Sequence, residues 1–125
     1  MGTATLRTLP ILLLLVSCFS TGSAKTGDPY YDLRSEDVIT VMNATAAVAR
    51  DRNFGAIPYL ITNLRHEDTW VRGFTLQALM EIRGVPSEKL GYEFTGSELS
   101  REAAIARWEE WYRDEQARRS AEAAP

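Results

Sequence analysis

Apolar side chains recur at helical spacing from residue 35 onward. Ser35 can cap a first predicted helix over residues 36–52. The inward positions of this helix are Val38, Val41, Met42, Thr45, Val48 and Ala49. After Gly55 a second period begins, with Ile57, Leu60, Ile61 and Leu64 on one face. No run of alternating apolar and polar residues is long enough to predict a strand, so the pattern predicts an all-α fold.

Two further helices are predicted in the second half of the chain. Asp68 is placed to cap a third helix that Gly84 ends. Its predicted stripe is Val71, Phe74, Thr75, Ala78, Leu79 and Ile82. The last helix is predicted over residues 98–117, with Ala104, Ile105, Trp108, Trp111 and Tyr112 inward. Residues 85–96 have no clear period but are predicted to form an ordered loop on the core through Leu90, Tyr92 and Phe94.

The N-terminus has the pattern of an export signal. Arg7 precedes the apolar run 11–16, which is far shorter than the about 20 residues of a membrane-spanning helix. Two cleavage sites stay open. Residues 22–24 are small and suit an ordinary signal peptidase, whereas Leu15-Val16-Ser17-Cys18 resembles the bacterial lipobox, in which Cys18 becomes the lipidated first residue of a lipoprotein. The predicted location is the periplasm or the membrane surface, with secretion as the alternative.

The length and composition of the chain limit its domain organisation. A chain of 125 residues and 14.0 kDa accommodates one small domain. We predict a signal peptide over residues 1–17 or 1–24 and a flexible linker over residues 18–34, because residues 20–34 are rich in small and polar side chains and include Gly27 and Pro29. A helical domain is predicted over residues 35–117, followed by a disordered polar tail over residues 118–125.

The charge balance and the side-chain inventory exclude several kinds of chemistry. A net charge of -3 and a pI near 5.2 do not suit the phosphate neutralisation of nucleic-acid binding. With one Cys and one His, the chain lacks a thiolate zinc cage and the usual catalytic sets. We interpret His66 as part of a solvated turn, because consecutive residues rarely converge on one metal ion. The sequence therefore predicts no catalytic residue, no metal site and no cofactor.

Residues 56–84 form a predicted helical hairpin. Its first helix carries Leu60 and Leu64, and its second carries Asp68, Val71, Arg72, Ala78 and Leu79. This pattern resembles one HEAT repeat of the bacterial HEAT-like class. The resemblance implies an antiparallel hairpin within a short solenoid fragment of about four helices, with capping helices at both ends. The repeat usually has Asp six residues before the Arg, where this chain has His66, so Glu67 and Asp68 are the alternative partners for Arg72.

The resemblance and the empty catalytic inventory together predict a non-enzymatic, exported protein-binding or scaffold domain. Its expected partner is a protein of the cell envelope, and it contacts the membrane only through the lipid anchor at Cys18. Two alternatives stay open: an accessory structural subunit that self-associates through its open repeat end, and a factor that assists cofactor attachment to another protein. The predicted contact residues are Trp70 and Tyr59, while the aromatic group at Trp108 is interpreted as core.

Overall fold

The computed structural model describes residues 27–84 and 89–125. Within these ranges 72% of the residues are helical and none forms a strand, which confirms the predicted all-α fold. The elements in chain order are α1 (Pro29–Asp32), α2 (Val38–Arg50), a 3₁₀ turn (Phe54–Ala56), α3 (Ile57–Asn63), α4 (Thr69–Arg83) and α5 (Glu98–Ala123). None of these helices combines the length and apolarity needed to cross a membrane. Cys18 and both predicted cleavage sites lie outside the described residues.

The helices lie in two rows. In one row, α1 contacts α3 through the stacked rings of Tyr30 and Tyr59, with centroids 5.1 Å apart, and α3 packs against α5. The other row consists of α2 and α4, which share the most extensive helix contact. The N-terminal ends of α2 and α4 line one depression and their C-terminal ends line another, so these two helices run in the same direction. Contacts of α1 with α2 and of α3 with α4 join the rows.

Aspartates begin both helices of the α2–α4 row. The Asp37 carboxylate accepts a hydrogen bond from the Thr40 N–H at 2.9 Å, and Asp68 accepts from the N–H groups of the first turn of α4. The Asp68 cap is confirmed, as is the end of α4 at Gly84, whose φ of +87° favours a residue without Cβ. Ser35 does not cap α2, because its hydroxyl accepts from the Asp37 N–H instead.

Two aromatic residues close the core on the side of α5. Trp108 and Tyr92 are both fully buried. The Trp108 indole donates to the Lys89 carbonyl at 3.0 Å, and the Tyr92 hydroxyl donates to the Leu64 carbonyl at 2.5 Å. The loop between α4 and α5 is therefore ordered on the core over its described part, as the sequence predicts. Trp108 is core, as interpreted from the sequence, and Trp111 and Tyr112 pack half-buried beside it.

The predicted linker over residues 18–34 is wrong at its C-terminal end. Asp28 caps α1 by accepting from the Tyr30 N–H at 3.0 Å, and Pro29 occupies the first helical position. Its ring fixes φ near the helical value and its missing N–H has no role there, so Asp-Pro starts a helix. Leu33 is then 1% exposed. Helix α1 and buried Leu33 thus lie inside the predicted linker, before the predicted boundary at residue 35.

The predicted disordered tail over residues 118–125 is also wrong. Helix α5 continues past residue 117 and ends at Ala123. Arg118 forms ion pairs with Glu115 and Glu122, one turn away on either side. The Arg119 guanidinium lies 3.7 Å from the centroid of the Phe54 ring. These contacts hold the last turns of the helix where the sequence pattern alone indicates fraying.

Candidate functional site

The apolar residues of the repeat signature stabilise the α3–α4 hairpin. All of them are buried in the structure, and they are Leu60, Leu64, Val71, Ala78 and Leu79. Leu60, Leu64, Ala78 and Leu79 belong to the hydrophobic core cluster of the domain. Their role is packing, so a binding surface has to be sought among the side chains that point away from this core.

Arg72 connects two backbone segments, the α3–α4 turn and the loop after α4. It is only 8% exposed, and its Nη1 donates to the carbonyls of His66 and Glu67 at 2.8 and 2.9 Å. Its Nε donates to the Phe94 carbonyl at 2.9 Å. Backbone carbonyls thus take the place of the carboxylate expected from the repeat pattern, and Asp68 serves as the cap of α4 instead. The signature arginine fixes the α3–α4 turn against the following loop.

His66 belongs to the same turn. Its Nδ1 accepts a hydrogen bond from the Asp68 N–H at 3.0 Å, which supports its interpretation as a turn residue. Over residues 27–84 and 89–125, no group of three or more His, Cys, Asp or Glu side chains is placed to hold a metal ion. The polar residues of this turn act on the backbone around them.

The α2–α4 row presents two parallel ridges of exposed side chains. The ridge on α2 consists of Ile39, Asn43, Ala46 and Arg50, and the ridge on α4 consists of Trp70, Phe74, Gln77 and Glu81. Both ridges follow the same helical spacing, so each presents a single stripe to solvent. A groove between them has small residues along its length, including Thr45, Ala49 and Ala78. We call the two ridges and this groove the α2–α4 face.

The α2–α4 face is apolar at one end and charged at the other. Trp70 is 71% exposed, Ile39 67% and Phe74 45%, and all three lie in the N-terminal halves of their helices. At the C-terminal end, Arg50 and Glu81 line the same groove from opposite helices. Large exposed apolar side chains on neighbouring helices mark a surface for a protein partner, because the exposure of apolar surface to water is unfavourable. This face is the candidate functional site.

Tyr59, the second predicted contact residue, lies elsewhere. Its ring is half-buried in the other row, stacked on Tyr30 and covered by the Arg34 guanidinium at 5.7 Å from the ring centroid. Tyr59 therefore contributes to the contact between α1 and α3, and the structure does not bring it together with Trp70.

Sequence reasoning missed two residues of the α2–α4 face. Phe74 was expected in the buried stripe of α4, but it is almost half exposed because Arg72 and Leu76 turn inward and rotate the buried side of the helix. Ile39 lies outside the predicted inward positions of α2, and its apolar side chain alone does not indicate a binding surface. A signal was present in α2, where Ile39 shares a stripe with Asn43, Ala46 and Arg50 that the core does not use.

Charged side chains form ion pairs along α5. Arg65 binds Glu102 through two hydrogen bonds of 2.7 and 3.0 Å, and this contact lowers the pKa of Glu102. Hydrogen bonds from Arg118, and then from Arg119, lower the pKa of Glu115 to about 2. The Arg65 pair joins α5 to the turn after α3, and the Glu115 pairs stabilise the last turns of α5. Both lie away from the α2–α4 face.

Comparison of the chain with family models, with curated proteins and with solved structures finds no match. The resemblance to a HEAT repeat therefore stays a prediction, carried by the signature residues of the α3–α4 hairpin.

Proposed function

We propose that this chain is an exported, non-enzymatic HEAT-like domain that docks a protein of the cell envelope on its α2–α4 face. The observation that carries the proposal is the joint exposure of Trp70, Ile39 and Phe74 on two adjacent helices. Trp is one of the residue types enriched among those that dominate the binding energy of protein interfaces, and exposed apolar clusters of this kind mark contact sites. The mechanism is shape and apolar complementarity, with no chemical step.

The α2–α4 face is suited to binding because its residues are held in place before a partner arrives. Trp70 lies in the first turn of α4, two residues after the Asp68 cap and two residues before buried Arg72. Little backbone entropy is then lost on association. Burial of the exposed part of Trp70 contributes about 3 kcal/mol, at about 25 cal/mol per Å² of apolar surface.

The N-terminal pattern supports two mature forms of the domain. In one form, lipidated Cys18 is the first residue and anchors the domain at a membrane surface. In the other, cleavage after Ala24 leaves a chain that starts at Lys25. The intact mass of the protein isolated from its host distinguishes them, since acylation adds the mass of the lipid chains.

Site-specific photo-crosslinking tests the proposed docking. A photoreactive residue is placed at position 70 or 39 of the full chain, and in matched controls at position 107 or 113, which are exposed on α5. After irradiation of intact cells, we expect a discrete protein adduct from positions 70 and 39 and none from the controls. Equal yields at all four positions, or no adduct at any, would contradict the proposal.

A second surface supports the alternative of an accessory subunit that self-associates through its open repeat end. Leu99 is 84% exposed on α5, and Ala103 and Ala106 are exposed on the same helix. This stripe lies on the last helix of the α1–α3–α5 row, where a further repeat would stack. It offers one large apolar side chain where the α2–α4 face offers three, so we place the function on the α2–α4 face.

A further inference from the structure

We infer that the partner on the α2–α4 face is a second copy of this chain, related to the first by a twofold axis that runs along the helices. The inference rests on the proposed function, because it names the partner of the same face. In this arrangement α2 of each copy lies over α4 of the other, and all four helices run in the same direction. The remaining row of each copy lies outside this contact.

The two ridges have the same residue spacing. Ile39, Asn43, Ala46 and Arg50 follow one another at the same intervals as Trp70, Phe74, Gln77 and Glu81. A twofold axis along the helices therefore sets each α2 residue against its counterpart on α4 of the second copy. Symmetry makes every such contact twice, as in any isologous interface.

The two ridges carry complementary charges at their C-terminal ends. The Arg50 side chain is 77% exposed, and it approaches the neighbouring exposed Asp51 carboxylate at 3.9 Å, which is a weak contact. Glu81 is exposed at the same level of the face. The twofold axis places Arg50 of each copy opposite Glu81 of the other. This gives two Arg–Glu ion pairs at one end of the interface. Ion pairs across an interface determine its register and discriminate against other partners.

In the parallel arrangement the apolar ends of the two α2–α4 faces meet. Ile39 of each copy lies against Trp70 of the other, with Phe74 beside them, so these exposed side chains cover one another. A twofold axis at right angles to the helices would instead place Ile39 over Arg50 and Trp70 over Glu81. That arrangement buries charge against apolar surface, which costs free energy. The polarity of the face thus selects the parallel arrangement.

A charge-swap experiment tests this pairing. The processed chain is purified from its host, and its dimer dissociation constant is measured by sedimentation velocity over a range of concentrations. We expect Arg50→Glu and Glu81→Arg each to raise the dissociation constant at least tenfold, because each variant creates two pairs of like charge. The double variant Arg50→Glu/Glu81→Arg restores both pairs, and its dissociation constant should return close to that of the unaltered chain.

Two controls accompany the swap. Glu110→Arg changes an exposed charge on α5 and should leave the dissociation constant unchanged. Leu99→Glu disrupts stacking through the open repeat end, and it too should have no effect. Circular dichroism of every variant checks that the helices are retained. If a single charge variant fails to fold, Trp70→Gln takes its place, and its dissociation constant should likewise rise at least tenfold.

The possible outcomes separate this inference from the proposed function. Rescue by the double variant supports it. Dimers that dissociate in Leu99→Glu but not in Arg50→Glu would overturn it in favour of the open end, and dimers without rescue would overturn the parallel pairing. A strict monomer whose position 70 crosslinks to a different protein would overturn the second copy as partner but leave the proposed function standing. A monomer without any crosslink at position 70 would overturn both.

Discussion

At the scale of single residues, Arg72 links the α3–α4 turn to the loop that follows α4. Its three backbone acceptors are the carbonyls of His66, Glu67 and Phe94. A buried guanidinium satisfies several carbonyls at once because its donors are fixed in one plane. The side chain is therefore a structural replacement for main-chain hydrogen bonds that neither the turn nor the loop can make.

Replacing Arg72 is expected to cost more stability than replacing an exposed arginine. Arg72→Met leaves three carbonyls without their donor and should lower the free energy of unfolding by about 3 kcal/mol. The measurement is urea denaturation followed by circular dichroism. Arg113→Met is the control, since Arg113 is exposed on α5, and it should change the free energy by less than about 0.5 kcal/mol. Similar losses in both variants would contradict this role of Arg72.

Thr75 is a second informative residue. Its hydroxyl is fully buried in α4 and has no hydrogen-bond partner among the described residues, whereas the buried Thr45 hydroxyl donates to the Val41 carbonyl at 2.7 Å. Thr75→Val removes an unsatisfied polar atom without changing the shape, so it should raise the free energy of unfolding by about 1 kcal/mol. Thr45→Val should give no gain. Thermal denaturation measures the stability of both variants. An equal change in stability in the two variants would contradict the role given to the Thr75 hydroxyl.

The ion pairs of Glu115 predict a defined response to acid. Its folded pKa of about 2 lies below the ordinary value of 4.5, so the carboxylate stabilises the fold fully above pH 4.5. That contribution is lost as the pH falls from 4.5 towards 2. An NMR titration of the Glu115 carboxyl carbon should show a midpoint near pH 2. In Arg118→Gln/Arg119→Gln the midpoint should move up towards 4.5, and a midpoint that does not move would contradict these pairs.

At the scale of elements, the described part of the loop between α4 and α5 behaves as a cap on the core. Tyr92 anchors it, and burial raises the pKa of its hydroxyl. Phe94 packs on α4 at Gly73, where an added Cβ would lie 3.3 Å from the ring. The absence of a side chain at Gly73 therefore admits the ring, and the loop covers the hairpin in place of another helix.

Removal of the Tyr92 hydroxyl should loosen this cap. Tyr92→Phe leaves the Leu64 carbonyl without its donor and should lower the free energy of unfolding by about 1–2 kcal/mol. Hydrogen exchange measured by mass spectrometry should rise in residues 89–97 more than in α2. Tyr31→Phe is the matched control, because Tyr31 is 57% exposed, and it should behave like the unaltered chain. Uniform exchange changes along the chain would argue against a local anchor.

The sequence predicts the helices better than their ends. Periodic apolar residues identify α2, α3, α4 and α5, because each helix must bury one side. The ends depend on single contacts, such as the Asp28–Pro29 start of α1 and the ion pairs of Arg118, which periodicity does not register. The α2–α4 face was predictable in part. Trp70 lies outside the apolar stripe of α4, but the exposure of Phe74 depends on how neighbouring elements rotate that helix.

At the scale of the whole molecule, two rows of helices divide structural and binding roles. The α1–α3–α5 row holds the domain together through Trp108, the stacked Tyr30 and Tyr59, and the ion pairs of Arg65. The α2–α4 row contributes its inner side to the same core and leaves an outer side with exposed apolar groups. A small domain with one covered side and one open side is suited to docking, and that division is the basis of the proposed function.

Oxidative footprinting in the native setting tests this account most directly. Hydroxyl radicals oxidise accessible aromatic and aliphatic side chains, and mass spectrometry reads the sites. We predict that Trp70, Phe74 and Ile39 are oxidised several-fold less in intact cells or envelopes than in dilute purified protein, while Leu99 and Tyr31 react equally in both. Equal oxidation of Trp70 in the two preparations would show that the α2–α4 face is uncovered where the protein works, and would contradict the account.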